Sequence, residues 1–244
     1  MSSSAVQTTL GPLAARINGE GPPVVLLHGN GEDASLFDAM GPGLAGLTTI
    51  ALDSRGHGAS PLGDKRLTLA QLGADTAQAL LEYRRRYGYQ GRFGVIGFSD
   101  GANVALEVAL HRPDLLAGQV LMGGNTRPGA TKLWVHLSLW VGHFVLGVAG
   151  LFSRKANHRR KIWGLMIGQP LVTEAQLKSV SVPTLVLAGE RDVVARRVSL
   201  RVAQTIPGAE WAEIQGVGHL VPLKCPGVAA ALSVDFLRRY LDIK

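Results

Sequence analysis

One serine in the chain stands in a setting that could make it a nucleophile. Ser99 is the centre of the stretch 97–101, Gly-Phe-Ser-Asp-Gly, which has the Gly-x-Ser-x-Gly spacing of a nucleophile elbow. A short apolar run precedes this stretch and an apolar pattern of helical spacing follows it. The glycines allow a strained turn in which larger side chains would collide with the helix or the strand. This context predicts a serine hydroxyl exposed at the end of a strand, with the positive end of a helix behind it.

A serine nucleophile needs a base that takes its proton and a carboxylate that orients the base. Asp192 follows a predicted strand at 184–188, and His219 follows a weaker predicted strand at 211–214. Together with Ser99, these residues stand in the chain order Ser, Asp, His. Of the seven histidines, His219 alone combines a loop after a strand with this order. We therefore predict catalytic roles for all three side chains.

The order of these motifs resembles that of the α/β-hydrolase family over essentially the whole chain. The turn His-Gly-Asn-Gly at 28–31 and the stretch 53–60 are also similar to family motifs. The Ser-Asp-Gly of the elbow looks like that of the biphenyl-hydrolase-like enzymes, some of which cleave amino-acid esters. The resemblance implies an α/β-hydrolase fold, with a mostly parallel central sheet, helices on both faces and a short helical cap.

A tetrahedral intermediate carries negative charge on the former carbonyl oxygen, which two aimed backbone N–H groups can stabilise. One is expected from Asp100, the residue after the nucleophile, and the family resemblance points to Asn30 for the other. The side chain of Asp100 leaves two interpretations open. It attracts an ammonium group on the substrate, or it bonds to nearby backbone and faces away from the pocket.

Length and composition favour a single domain over residues 1–244. The chain is 46% hydrophobic and long enough to bury one large core. Predicted helices at 68–87, 100–111 and 222–240 alternate with apolar strands, which favours a mainly parallel sheet covered on both faces.

An uncharged segment, 133–152, follows the elbow region. By length it could span a membrane, but one crossing would separate the predicted serine from the aspartate and histidine. The α/β-hydrolase family inserts its lid at this place, so we expect residues 126–178 to form a helical cap.

The apolar cap has two interpretations. It packs on the core and lines an apolar substrate pocket, or it meets a bilayer surface. In the second case segment 133–161 makes peripheral membrane contact, with the basic run 154–161 on anionic head groups. The apolar contact residues would be Trp134, Leu137, Trp140, Phe144 and Leu151.

Other partners and cofactors are not indicated. The formal net charge is +7, but no recognition motif accompanies the basic run, so no nucleic acid partner is expected. The lone Cys225 excludes an internal disulfide. His136 and His143 lie seven apart rather than four, which disfavours a helical metal site. No metal and no organic cofactor are expected.

The first ten residues lack the pattern of a secretory signal, which favours the cytoplasm. The oligomeric state stays open.

These features predict a serine hydrolase that cleaves a small or apolar carboxylic ester, or a related acyl compound, through an acyl-enzyme. One alternative is a non-catalytic protein that binds a small ligand on the same fold. Another is cofactor-free acyl-transfer or perhydrolase chemistry, because the fold hosts several reactions.

Overall fold

A computed structural model describes residues 6–127, 133–168 and 171–241. The described strands form one sheet in the order β1-β2-β4-β3-β5-β6-β7-β8. They are β1 (Val6–Leu10), β2 (Leu13–Asn18), β3 (Pro23–Leu27), β4 (Thr48–Leu52), β5 (Phe93–Phe98), β6 (Leu116–Met122), β7 (Thr184–Gly189) and β8 (Glu210–Ile214). The α-helices are α1 (Leu69–Tyr87), α2 (Asp100–His111), α3 (Leu133–Gly150), α4 (Arg154–Gly168), α5 (Glu174–Ser179), α6 (Arg196–Thr205), α7 (Val221–Lys224) and α8 (Pro226–Arg238).

The sheet is mostly parallel, which confirms the predicted architecture. Strands β3 to β8 pair with one another in parallel, whereas β2 pairs antiparallel with both β1 and β4. The sequence analysis missed β1 and β2. Both strands have half-exposed, polar stretches and lack the continuous apolar runs that mark the buried strands.

Helices cover both faces of this sheet. Along β3, Val25 and Leu27 pack in the cluster that contains α1 and α2. Val24 and Leu26 pack in a second cluster with α8 and a 3-10 helix, Ala34–Leu44. Successive side chains of a strand point to opposite faces, so each buried strand contributes to both layers.

The predicted closing helix at 222–240 is wrong as a single element. The chain forms the short α7, breaks at Cys225, and then forms α8. Pro226 explains the break, because its ring disfavours a helical conformation in the residue before it. Cys225 accordingly has φ −143° and ψ 53°.

Three helices, α3, α4 and α5, lie between β6 and β7, where the cap is predicted. The boundaries 126–178 stay a prediction, and residues 128–132 and 169–170 lie outside the described residues. None of the helices in the described ranges is long and apolar enough to cross a membrane. The first five residues also lie outside the described part, and the cytoplasmic location stays a prediction.

A buried ion pair joins the loop after β4 to α1. Arg55 donates through Nε to Asp75 Oδ2 at 2.6 Å and through a terminal nitrogen to Asp75 Oδ1 at 2.8 Å. We expect Arg55→Ala to lower the free energy of unfolding by about 3–5 kcal/mol, because it leaves a buried carboxylate without its cation. Urea denaturation of the two proteins measures this difference.

The matched control is the exposed pair of Arg112 and Asp114, which is also bidentate. Arg112→Ala should change the same free energy by at most about 1 kcal/mol, since exposed pairs are solvated and screened. Equal losses for the two arginine variants would contradict a special role for the buried pair.

Candidate active site

Ser99 lies in a strained turn between β5 and α2. Its φ of 53° and ψ of −119° make it, within the described part of the chain, the one residue other than glycine with positive φ. Its N–H donates to the carbonyl of Met122 on β6 at 2.8 Å, which ties the turn to the neighbouring strand. A Cβ atom on Gly97 would collide with the carbonyl of Gly101, and one on Gly101 would collide with that of Leu27. The glycines are therefore needed for the close approach of turn, helix and strand.

The three predicted catalytic side chains meet at the carboxyl edge of the sheet. His219 Nδ1 lies 2.7 Å from Asp192 Oδ1, and His219 Nε2 lies 3.1 Å from Ser99 Oγ. The residues come from the loops after β5, β7 and β8, whose carboxyl ends share one edge because the strands are parallel. This geometry suits a histidine that takes the serine proton while the carboxylate orients its ring.

The surroundings of Asp192 fix its orientation. The side chain is buried, and its Oδ1 also accepts the Val194 N–H at 2.8 Å. A Cβ atom on Gly123 would lie 2.9 Å from His219 Cε1, so this glycine leaves room for the ring. The Phe98 ring packs 4.9 Å from the His219 ring, centre to centre. Together these contacts hold carboxylate and imidazole in one arrangement.

Asp100 takes part in a network of side-chain amides. Its Oδ2 accepts from Asn30 Nδ2 at 3.1 Å, and its Oδ1 accepts from Asn103 Nδ2 at 3.2 Å. Asn30 Nδ2 also donates to the carbonyl of Ile162 on α4 at 2.9 Å, which connects the elbow to the cap region. The partners of Asp100 are therefore side chains, whereas the sequence analysis considered backbone. Burial raises the pKa of Asp100, and the two amide hydrogen bonds oppose this shift.

Glu32 is a member of the site that the sequence analysis missed. Its Oε2 accepts the Gly29 N–H at 3.0 Å. A Cβ atom on Gly29 would lie 2.7 Å from Glu32 Oε2 and 3.1 Å from Ser99 Cβ, so both residues flank this glycine. Burial raises the pKa of Glu32, and the hydrogen bond from the Gly29 N–H opposes this shift. Because the Gly29 N–H is already bonded, the N–H groups of Asn30 and Asp100 stay the predicted oxyanion donors.

His28 is held as a neutral ring beneath this turn. The Ser54 N–H donates to its Nε2 at 2.9 Å, so the ring proton lies on Nδ1, which faces the Gly29 carbonyl at 2.7 Å. Burial lowers the pKa of His28 from 6.5 to about 4. His57 contacts the Arg55 carbonyl through Nδ1 at 3.1 Å, and burial lowers its pKa in the same way.

We expect His28 to make stability depend on pH. The unfolded chain protonates this histidine near pH 6.5 and the folded chain only near pH 4, so acid favours unfolding between these values. The contribution of about 3 kcal/mol is complete above pH 6.5 and is lost as pH falls to 4. Urea denaturation at several pH values should show a smaller loss of stability in acid for His28→Gln than for wild type. His111→Gln, which removes a largely exposed histidine, is the control and should keep the loss of stability in acid that His28 causes.

No cluster of three or more His, Cys, Asp or Glu side chains suited to a metal ion occurs among the described residues. His143 Nε2 instead faces Arg160 Nε at 3.4 Å. The side chain of His136 lies outside the described part.

Comparison with known proteins identifies the family. The model of the alpha/beta hydrolase fold family matches residues 22–178, which include β3, the elbow and most of the region between β6 and β7. The chain belongs to the alpha/beta hydrolase family. This membership confirms the resemblance and the fold class that the sequence analysis predicts.

Two esterases and a hydrolase of known structure are similar to this chain over half of its length or more. The pimeloyl-[acyl-carrier protein] methyl ester esterase of Methylococcus capsulatus is 34% identical over 92% of this chain and 87% of its own length. An esterase of Mycobacterium tuberculosis is 34% identical over 51% of this chain, a match that spans only 40% of that relative. The crystal structure of a hydrolase from Pseudomonas aeruginosa superposes with a TM-score of 0.73 at 26% identity, covering 96% of this chain and 97% of that one.

Proposed function

We propose that this alpha/beta hydrolase cleaves carboxylic esters by two successive acyl transfers at Ser99. The observation that carries the proposal is the contact chain from Asp192 through His219 to the hydroxyl of the elbow serine, with distances of 2.7 and 3.1 Å. The names of the relatives from Methylococcus capsulatus and Mycobacterium tuberculosis support ester hydrolysis as the reaction class.

In the first half-reaction, His219 Nε2 takes the proton of the Ser99 hydroxyl as its oxygen attacks the ester carbonyl carbon. The carbonyl electron pair moves to the oxygen, where the N–H groups of Asn30 and Asp100 stabilise the negative charge. Asp192 stabilises the imidazolium that forms. Collapse of the intermediate breaks the bond to the alcohol oxygen, which leaves with the proton from His219.

In the second half-reaction, His219 takes a proton from water, whose oxygen attacks the carbonyl carbon of the acyl-enzyme. The same two N–H groups stabilise the second oxyanion. The bond to Ser99 Oγ then breaks, the serine regains its proton from His219, and the carboxylic acid leaves. An intact set of nucleophile, base and carboxylate supports this cycle over ligand binding alone.

We propose that the preferred substrates are esters with an uncharged acyl group. Both oxygens of Asp100 already accept hydrogen bonds from side-chain amides. Burial raises the pKa of this carboxyl, which disfavours the negative charge that would attract an ammonium group. The apolar side chains of Ile162 and Leu165 on α4 are buried, and the Ile162 carbonyl bonds to Asn30 beside the elbow. Helix α4, with its apolar Ile162, therefore lies beside the elbow, which supports an apolar acyl group over a charged one.

A series of p-nitrophenyl esters tests both parts of the proposal. Each CH₂ of the acyl chain that becomes buried should raise kcat/KM about fourfold until the pocket is full. The series runs from acetate to decanoate and includes one aminoacyl ester. An aminoacyl ester preferred over the straight chains would contradict the uncharged acyl group, and no hydrolysis above buffer would contradict ester cleavage.

A further inference from the structure

Helix α3 presents its large apolar side chains to the outside of the molecule. Phe144 is 73% exposed, and Leu151 and Phe152, just beyond the end of the helix, are 78% and 89% exposed. The exposed positions recur at the three- and four-residue spacing that places side chains on one face of a helix. We call this set the apolar stripe; it consists of Leu137, Trp140, Val141, Phe144, Val145, Val148, Leu151 and Phe152.

The opposite side of α3 is lined by glycines and packs on α4. A Cβ atom on Gly142 would lie 2.9 Å from the Trp163 ring, and one on Gly150 would lie 3.3 Å from Asn157 Cα. Trp163 Nε1 donates to the Leu139 carbonyl at 3.0 Å, which fixes the two helices together. A helix at a protein–water boundary normally buries its large apolar side chains. Here Gly142, Gly150 and the buried Leu139 face the protein, and the large side chains of the stripe face outward.

Cations border the apolar stripe. Helix α4 carries five exposed basic residues, and no acidic residue occurs between Asp114 and Glu174. The basic residues are Arg154, Lys155, Arg159, Arg160 and Lys161. Arg160 shares a groove of about 360 Å³ with Trp140 and Phe144 of the stripe. One surface therefore combines apolar side chains with positive charge that no acidic residue of the same helices offsets.

We propose that this α3–α4 face binds the surface of an anionic lipid bilayer. The apolar stripe would enter the boundary between head groups and acyl chains, while the α4 cations contact lipid phosphates. The helix would lie in the plane of the surface, since no described helix suits a membrane span. A second copy of the chain fits this face less well, because pairing two identical α3–α4 faces would bring the basic residues of the two α4 helices together. The side chain of Trp134 lies outside the described residues and has no part in the proposal.

Bilayer binding would also place the lipid close to the candidate active site. Ile162 of α4 bonds through its carbonyl to Asn30, and His158 Nε2 lies 2.8 Å from the Gly56 carbonyl. Helix α4 therefore contacts the Asn30 loop, which bonds to Asp100 beside Ser99, and also the loop after β4. Access to esters dissolved in the membrane rests on the proposed function, whereas binding to the bilayer needs no reaction at Ser99.

Co-sedimentation of the full chain with vesicles tests the proposal. Vesicles of mixed phosphatidylglycerol and phosphatidylcholine should bind the protein, and vesicles of phosphatidylcholine alone should bind it much less. The double variant Lys155→Ser/Arg159→Ser should weaken binding roughly 25-fold, since each cation near the surface contributes about fivefold. Arg85→Ser/Arg86→Ser removes the same charge from the end of α1 and should leave binding within about twofold of wild type.

The apolar contribution is tested by Phe144→Ser/Phe152→Ser, which should weaken binding at least about tenfold. Brominated lipids should quench the fluorescence of wild type more than that of Trp140→Phe, which separates insertion from surface adsorption. Circular dichroism and the hydrolysis rate of a soluble ester check folding and activity independently.

Three results would overturn the proposal. One is no binding to anionic vesicles, and another is equal weakening by the α1 and α4 charge variants. The third is a dimer in solution that Phe144→Ser/Phe152→Ser dissociates, since a second copy would then cover the stripe.

Discussion

Replacing Ser99 with alanine is expected to lower kcat/KM for every ester that the wild type hydrolyses by about 10⁵–10⁶-fold. The variant loses the oxygen that forms the acyl bond, so His219 has no proton to take and the two-step route is closed. The residual rate would reflect substrate binding and oxyanion stabilisation alone. Steady-state rates of the two proteins on the best ester of the series measure this loss.

Covalent labelling separates loss of the nucleophile from loss of the fold. A fluorophosphonate should add one adduct to the wild type, at Ser99, and none to Ser99→Ala, as intact mass shows. Ser181→Ala, at an exposed serine just before β7, is the matched control and should keep both rate and label. Cys225→Ser should also keep both, because the half-buried thiol lies outside the site and burial raises its pKa. Equal ester rates for wild type and Ser99→Ala would contradict the proposed nucleophile.

Parts of the fold could be predicted because local sequence suffices for them. Strands β3, β5 and β7 are short continuous apolar runs, as expected for strands that are buried on both faces of a parallel sheet. Thr68 and Gly88 mark the ends of α1, where Thr68 Oγ accepts the Gln71 N–H and Gly88 has φ 64°. Hairpin strands β1 and β2 lack such a pattern, since they lie near the sheet edge and are half exposed.

The candidate site also contains residues that could be predicted from the sequence and residues that could not. The order of Ser99, Asp192 and His219 could be read from the sequence because each follows a recognisable strand. The contacts of Glu32, Asn103 and Asp100 could not, since they depend on how separate loops approach one another. The sequence analysis named part of the apolar stripe as a possible bilayer contact, but it left open whether these side chains pack on the core. The packing of Gly142 and Gly150 on α4 places the stripe on the exposed side of α3.

The second large effect is expected at Asp192. We expect Asp192→Asn to lower kcat by about 10⁴-fold while substrate binding changes little. The variant keeps the size of the side chain but removes the negative charge that stabilises the imidazolium in both half-reactions. Steady-state kinetics that separate kcat from KM measure the effect.

Neither orientation of the new amide restores the native arrangement. With its oxygen at the Oδ1 position, the amide still accepts the Val194 N–H, but it carries no negative charge, and its nitrogen takes the buried position of Oδ2, an oxygen with no hydrogen-bond partner among the described residues. With its nitrogen at the Oδ1 position, it faces the Val194 N–H, and it can bond to His219 only if the ring proton moves to Nε2. That tautomer cannot accept the proton of Ser99, so catalysis fails for a second reason.

Glu190→Gln is the matched acid-to-amide control in the same loop. Its exposed carboxylate accepts the Gly216 N–H at 2.7 Å and touches neither the histidine nor the serine. This variant should keep kcat within about twofold of wild type, as expected for a surface change. A 10⁴-fold loss in both variants would point to the loop as a whole. A loss confined to Asp192→Asn would show that catalysis needs the negative charge beside His219. Both variants change an acid to an amide in the same loop, and they differ only in which carboxylate is neutralised.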